Sequence, residues 1–304
     1  MRIHCSVWAA LTPGLLVAFA AGASGQGVAR SIDVPFIHGL DVSINGGAPM
    51  HFGLDTGAAT DFFITPESAR RLGLPVTGHR LIHASDRKDA TVESVDIVRA
   101  KTLTFAGHTF AEPEGLVEQG KGQGDGTLGI TLFRDVLLTL DYPHDRLGIS
   151  EGSLPLSNDH DIFAYTTYPD ATFRVLQVTP TVTIQLAGQA LPALLDTAAS
   201  HIDADIIVPT KVAATLPLGP TEASMMIGGA IGSKYPSYTA KLKGNLTIGD
   251  IVVSNPTLLV SDWLTFIDLA RVSRRFIYMI DQRNHRIRIT MPDGAPSRLP
   301  TTSN

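Results

Sequence analysis

Apolar and polar residues alternate in short runs along most of this chain, and turns rich in glycine separate the runs. The residues from Ile32 to Gly46 alternate in this way and end in Asn-Gly-Gly, which predicts a strand followed by a hairpin turn. The next segment, HFGLD, predicts a returning strand that carries Asp55 at its carboxyl end. Two later segments predict further pairs of strands, which turn at Ala106-Gly107 and at Gly249-Asp250.

Each half of the chain contains one pattern typical of a helix. In the first half Thr65 is a good N-cap, Pro66 suits the first helical position, and Gly73 predicts the end. The second half repeats the pattern between Pro209 and Pro217. Short strands, frequent glycine turns and one short helix per half predict a mainly β architecture.

One short sequence motif occurs twice in the chain. FGLDTGAATDFFI runs from Phe52 to Ile64, and the similar ALLDTAASHIDADII runs from Ala193 to Ile207. Asp196 therefore follows Asp55 by 141 residues (196 − 55). Because both copies place Asp-Thr directly after apolar residues, the repeat indicates a duplicated unit whose carboxylates meet across a pseudo-twofold axis.

The repeat extends beyond this motif. The segments starting at Leu103 and Leu246 are similar at an offset of 143 (246 − 103), and those around Asp141 and Asp281 at 140 (281 − 141). A long period with two copies predicts two homologous lobes rather than a solenoid. We therefore expect a first lobe over residues 26–155 and a second over residues 156–291.

Composition agrees with two folded domains and excludes one class of partner. The chain has 304 residues, of which 44% are hydrophobic and 17% charged, so a large core is available. The formal net charge of −5 argues against nucleic acid as a partner, because phosphate binding requires a basic surface.

Both ends of the chain predict segments outside the lobes. Arg2, an apolar run from Val7 to Ala21 and the small residues that follow are typical of a signal peptide over residues 1–25, with an uncleaved anchor as the alternative. Its cleavage would remove Cys5, the only cysteine, and leave a secreted or periplasmic protein without a stable membrane span. Residues 292–304 are rich in Pro, Ser and Thr, which predicts a disordered tail.

Other motifs predict neither a metal nor a cofactor. The glycine-rich run from Gly120 to Gly129 lacks the βαβ context of a dinucleotide site and favours a flexible loop. The ten histidines show no H-E-x-x-H spacing, and the chain has no G-x-S-x-G elbow. Asp203 and Asp205 alternate with apolar residues, which predicts a solvated strand face.

The repeated Asp suits a specific chemistry. A lone exposed Asp has a pKa near 4 and is a poor general base, whereas two carboxylates in contact share one proton and can act as base and acid together. Thr56 and Thr197 can hydrogen-bond across the axis and hold the two loops in register. Gly57 and the small residue Ala198 let backbone N–H groups approach the carboxylates.

These residues give the chain its resemblance to a known family. Asp55-Thr56-Gly57-Ala58, Asp196-Thr197-Ala198-Ala199 and, more loosely, Thr127-Leu128-Gly129 resemble the motifs of aspartic proteases of the pepsin/retropepsin-like type. The resemblance covers most of residues 32–290. It implies a bilobal β fold, catalytic Asp55 and Asp196 supported by Thr56, Gly57, Thr197 and Ala198, and no metal or cofactor.

The second copy departs from the family pattern at two places. Ala198 replaces the usual glycine, which is costly if the backbone there needs a positive φ. The later apolar-apolar-Gly element is not evident, and counting back from Asp281 places Leu269 where the glycine is expected.

Two functions follow from this resemblance. The first is an exported aspartic endopeptidase that acts on peptide or protein substrates as a monomer, because one chain supplies both half-sites. The alternative is a catalytically silent protein that binds peptides, favoured by the degenerate second motif. In either case, hairpins over His79–Val95 and Met225–Tyr238 are expected to cover the cleft and to favour apolar residues at the cut.

Overall fold

The computed structural model describes residues 32–83, 92–118, 124–156, 161–165, 179–228, 234–263, 265–293, 295 and 298–299. The expected signal peptide, the centre of the first-lobe hairpin, the tip of the second and residues 120–123 lie outside the described residues. No helix in the described part of the chain is long and apolar enough to span a membrane.

The first repeat contains twelve strands and one α-helix in the described residues. They are β1 (Ile32–Val34), β2 (Leu40–Ile44), β3 (Met50–Asp55), β4 (Phe62–Ile64), α1 (Pro66–Leu72), β5 (Val76–His83), β6 (Val92–Arg99), β7 (Thr102–Phe105), β8 (His108–Ala111), β9 (Glu114–Val117), β10 (Gly126–Gly129), β11 (Leu137–Asp141) and β12 (Arg146–Ser150).

The second repeat has the same elements in the same order, plus one strand. They are β13 (Ile162–Ala164), β14 (Thr181–Leu186), β15 (Gln189–Leu194), β16 (Ile206–Val208), α2 (Thr210–Ala213), β17 (Leu218–Gly228), β18 (Lys234–Leu242), β19 (Asn245–Ile248), β20 (Ile251–Ser254), β21 (Thr257–Ser261), β22 (Ile267–Asp268), β23 (Ile277–Asp281), β24 (Arg286–Thr290) and the additional β25 (Arg298–Leu299).

Each lobe is built on one large sheet. The first has the strand order β5-β6-β9-β4-β10-β3-β2-β7-β8, and the second repeats it with the equivalent strands and adds β25 at one edge. The buried apolar residues of both sheets join one continuous core. The mainly β, bilobal fold predicted from the sequence is therefore confirmed.

A six-stranded sheet joins the two lobes. Its strand order is β1-β12-β11-β23-β24-β13. Each strand on one side of the centre has its equivalent from the other repeat at the matching position on the other side, so the sheet is symmetric. At its centre β11 and β23 pair antiparallel, so that Thr139 lies opposite Met279 and Leu138 opposite Ile280. Because Thr139 and Met279 are one repeat apart, the pseudo-twofold axis passes through this pair.

The local signals for turns and caps were correct. Thr65 Oγ1 accepts a hydrogen bond from the N–H of Ser68 at 3.2 Å, and Gly73 ends α1 in the left-handed conformation with φ of 59°. Ala106 and Gly107 turn with φ of 48° and 81°. Both are positive values, and such values suit the tight hairpin turn between β7 and β8.

Three expectations from the sequence were wrong in part. The segment Ile32–Gly46 is not one strand, because Ile32–Val34 pairs with β12 while Leu40–Ile44 pairs with β3. Gly126–Gly129, expected in a loop, is strand β10 between β3 and β4. Arg298–Leu299, expected in a disordered tail, pairs with β20. Each error concerns pairing with a segment distant in the chain.

The shared sheet predicts that the two lobes unfold together. Truncation of the buried Leu138 to Ala leaves a cavity against β23 and should lower the free energy of unfolding by about 2–5 kcal/mol. Urea unfolding followed by circular dichroism and by the fluorescence of Trp263, which lies in the second lobe, should give coincident curves for both proteins. If the variant lost stability in the circular dichroism curve but not in the Trp263 fluorescence curve, the lobes would unfold separately.

Candidate active site

Asp55 and Asp196 lie at the ends of equivalent strands, on either side of the axis. Asp55 is the last residue of β3, and Asp196 follows β15 by two residues. The N–H of Gly57 donates to Asp55 Oδ1 at 2.8 Å, and the N–H of Ala198 donates to Asp196 Oδ1 at 2.8 Å. The two carboxyl groups are also hydrogen-bonded to each other.

Thr56 and Thr197 connect the two loops, as expected from the sequence. The N–H of Thr56 donates to Thr197 Oγ1 at 2.9 Å, and the N–H of Thr197 donates to Thr56 Oγ1 at 3.0 Å. Each hydroxyl then donates to the other lobe, Thr56 to Leu195 O at 2.6 Å and Thr197 to Leu54 O at 2.9 Å. Both threonines are buried, so these bonds are shielded from water.

Position 57 requires glycine because a side chain there would clash with its neighbours, and not because of the backbone torsion angles. A Cβ atom on Gly57 would lie 2.8 Å from Cγ of Asp196, inside van der Waals contact. Neither Gly57 nor Ala198 has a positive φ, so Ala198 carries none of the backbone cost that the sequence left open. Ala198 is exposed and begins a 3₁₀ helix from Ala198 to His201.

The pKa values of both carboxyl groups are raised. Burial is the largest cause for Asp55, the charge of Asp196 adds to it, and the pKa rises well above the ordinary value. Burial also raises the pKa of Asp196, against the hydrogen bonds that it accepts from Asp55 and from backbone N–H groups. Two half-buried carboxyl groups in contact cannot both ionise readily, so the pair holds one proton to a higher pH than a free Asp would.

The second lobe does contain a counterpart of the Thr127-Leu128-Gly129 element. β10 runs parallel to β3 with Gly129 opposite Asp55, and β22 runs parallel to β15 with Asp268 opposite Leu194. Continuing this register places Ala270 beside Asp196. The expectation that Leu269 occupies the glycine position was therefore wrong by one residue.

Gly129 and Ala270 lie beside loops that differ in length. A Cβ atom on Gly129 would lie 2.0 Å from Thr60 O. The equivalent loop is longer in the second lobe, since Asp205 follows Asp196 by nine residues (205 − 196) and Asp61 follows Asp55 by six (61 − 55). The methyl group of Ala270 is fully buried beside the longer loop.

Asp61 and Asp205 are equivalent buried anchors that sequence reasoning missed. Asp61 accepts from the N–H of Glu114 at 2.9 Å and pairs with Arg134. Asp205 accepts from the N–H of Thr257 at 2.8 Å and lies 3.8 Å from Arg275. The predicted solvated face was thus wrong for Asp205, although Asp203 is exposed. The signal was present: both anchors directly precede three apolar residues, FFI and IIV.

Asp268 is a fully buried carboxyl near the pair, and no motif in the sequence marks it. Burial, the largest cause, raises its pKa well above the ordinary value, and the charges of Asp196 and Asp55 raise it further. Within the described residues, neither of its carboxyl oxygens accepts a hydrogen bond of normal geometry. The register makes it the counterpart of Thr127 in the first lobe.

Each lobe also has a hairpin of the expected kind. The first hairpin, β5 and β6, exposes Leu81 and Val92, and the second hairpin, β17 and β18, exposes Met225 and Met226. These side chains give both hairpins an apolar surface. Within the described residues, no group of three or more His, Cys, Asp or Glu side chains is arranged to hold a metal ion.

Comparison with known proteins identifies related sequences. A family model described as "Aspartyl protease" matches residues 40–132 and 182–285, one segment in each repeat. A solved retropepsin-like aspartic protease from Rickettsia conorii is 21% identical over 39% of this chain and 89% of that chain, with a TM-score of 0.29. No curated protein matches the chain.

We expect that removing the hydroxyl group of Thr56 lowers the stability of the fold, whereas a substitution that keeps the hydroxyl does not. Thr56→Val removes the hydroxyl and leaves the N–H of Thr197 and the carbonyl of Leu195 buried without their partner, which should cost about 2–5 kcal/mol. Thr56→Ser keeps the hydroxyl and should retain most of the stability. Urea unfolding of the three proteins checks this, and equal stability of the Val and Ser variants would contradict it.

The raised pKa of Asp268 predicts a pH-dependent penalty. Because the folded protein retains this proton to a higher pH than the unfolded chain, Asp268 lowers the free energy of unfolding progressively as pH rises above about 4, until its folded pKa is passed. Asp268→Thr, which installs the residue of the first lobe, removes this penalty. The stability of the variant relative to wild type should therefore increase between pH 4 and pH 7 in urea unfolding. A constant difference would contradict the assignment.

Proposed function

We propose that this chain, which belongs to the aspartyl protease family, is an exported endopeptidase in which Asp55 and Asp196 activate a water molecule for peptide hydrolysis. The observation that carries the proposal is the direct contact of the two carboxyl groups at the junction of the lobes. Each is oriented by the N–H of the residue two positions later, so both present an oxygen to the same space.

The shared proton gives the pair both functions that hydrolysis needs. The ionised carboxylate accepts a proton from water as the water oxygen attacks the peptide carbonyl carbon, while the protonated carboxyl donates to the carbonyl oxygen. The tetrahedral intermediate then collapses and the C–N bond breaks. The protonated carboxyl gives its proton to the leaving nitrogen, and the other carboxylate takes a proton from a hydroxyl of the intermediate, so the pair again holds one proton. Neither a covalent intermediate nor a metal takes part in these steps.

The alternative is a catalytically silent peptide-binding protein. The replacement of two family glycines by Ala198 and Ala270 favours it. Against it, the N–H of Ala198 still donates to Asp196, and its backbone has no positive φ. The substitutions therefore leave the polar contacts of the second motif in place, and we favour the enzyme.

The same arrangement supports a monomeric enzyme. Both half-sites and the threonine bonds between them belong to one chain, so no second copy is needed to complete the pair. Export rests on the signal-peptide pattern of residues 1–25, and the apolar hairpins favour peptides with apolar residues at the cut.

Substitution of either carboxyl tests the proposal. Asp55→Asn and Asp196→Asn should each lower kcat/KM on a denatured protein substrate by about 10²–10⁴-fold, because neither variant can share a proton. Asp250→Asn, an exposed turn residue in the second lobe, is the matched control and should keep full activity. A plot of wild-type kcat/KM against pH should be bell-shaped, because its acidic and basic limbs correspond to the two titration steps of the carboxyl pair.

Two results would contradict the proposal. Full activity of either Asn variant would exclude the pair as the catalytic groups. Binding of peptides by wild-type protein, without cleavage from pH 3 to pH 8, would favour the silent alternative.

A further inference from the structure

A cavity of about 210 Å³ lies beside the second Asp-Thr loop. Thr197 and Ala198, which follow Asp196, form part of its wall, and Gly53 and Leu54, which precede Asp55, form another part. The cavity therefore adjoins the carboxyl pair on one side. An extended peptide advances about 3.3–3.6 Å per residue, so a substrate lying across the pair reaches the cavity within a few residues.

One wall of the cavity carries basic side chains. Arg274 and His201 line it, and the described residues of its lining include neither Asp nor Glu. Arg271 and Arg275, on the same 3₁₀ helix as Arg274, pair with Asp203 and Asp205 respectively. Among the described residues Arg274 has no acidic partner within ion-pair distance.

Hydroxyl groups complete the polar wall. Ser200 and Tyr142 both line the cavity. Burial raises the pKa of Tyr142, so its hydroxyl stays protonated and can donate. The hydroxyl is buried and forms no hydrogen bond of normal geometry within the described part of the chain. The neighbouring hydroxyl of Ser200 is a neutral acceptor, and an anion would provide a charged one.

A second cavity, in the first lobe, shows the contrast. It has a volume of about 380 Å³ and is lined by Arg80, Arg99 and Arg134. These arginines are paired, however, since Arg80 lies 2.7 Å and Arg99 3.3 Å from Glu114, and Arg134 pairs with Asp61. Arginine alone therefore does not distinguish the second-lobe cavity. What distinguishes it is a guanidinium, that of Arg274, which has no acidic partner among the described residues and lies beside the hydroxyl groups of Ser200 and Tyr142.

We infer that this cavity is a subsite that binds a carboxylate of the substrate, held by Arg274 and His201 with Ser200 and Tyr142 as hydroxyl donors. The inference rests on the proposed peptidase function and specifies its substrate class. The carboxylate is either an acidic side chain a few residues from the cut or the free carboxyl terminus of a short peptide. Charge-assisted hydrogen bonds of this kind are strong enough to select substrates.

Binding of peptides to the Asp55→Asn protein tests the inference without cleavage. One series carries a fixed apolar centre with Glu or Gln at each flanking position, and each peptide is made with a free or an amidated carboxyl terminus. We expect one Glu position, or the free terminus, to improve Kd about tenfold or more over its neutral counterpart. The Glu and Gln arms identify a side chain, and the acid and amide arms identify the terminus.

Variants of the cavity decide whether this preference arises there. Arg274→Met, in the Asp55→Asn background, should abolish the preference while neutral peptides bind as before, and His201→Gln should reduce it. Arg70→Met, an exposed arginine on α1, is the matched control and should preserve it. Equal binding of acidic and neutral peptides, or an unchanged preference in Arg274→Met, would overturn the inference. Absence of cleavage by wild-type protein would instead refute the proposed function and leave this binding result standing.

Discussion

The reciprocal hydrogen bonds of Thr56 and Thr197 are the constraint on which the site depends. Each threonine receives the N–H of the other and donates to a carbonyl in the opposite lobe, so neither loop can move without the other. The bonds are buried, and loss of one hydroxyl leaves buried polar groups unpaired. They hold Asp196 so close to Gly57 that no Cβ fits there. That proximity in turn lets the charge of Asp196 raise the pKa of Asp55.

The duplicated lobes have kept their strand order but have diverged around the second motif. Both sheets have the same topology, and both loops are anchored by a buried Asp paired with Arg. The second loop is longer, tolerates Ala198 and Ala270, and carries Asp268 where the first lobe has Thr127. A duplicated chain is free to diverge in this way, because each half-site contributes a different wall to one cleft. The cavity lined by Arg274 and His201 lies beside this second loop.

Buried carboxyl groups in this protein have different energetic roles according to their partners. Asp61 and Asp205 have arginine and backbone N–H partners, which compensate for burial. Asp55 and Asp196 are half-buried and in contact with each other, and the pKa values of both are raised. Asp268 has the weakest compensation, so burial and its charged neighbours favour its neutral form. The carboxyl groups at the lobe junction therefore keep their protons to a higher pH than exposed aspartates would.

The sequence by itself determined the features that depend on neighbouring residues. The repeated Asp-Thr motif, the cap at Thr65, the turn at Ala106-Gly107 and the mainly β class follow from local periodicity, torsions and hydrogen-bonding groups. Only the tertiary structure decided the opposite environments of Asp203 and Asp205 and the alignment of Ala270 with Asp196. It also left Arg274 without an acidic partner among the described residues. These depend on which distant strand or helix lies alongside, and burial and charge pairing are set by those neighbours rather than by position along the chain.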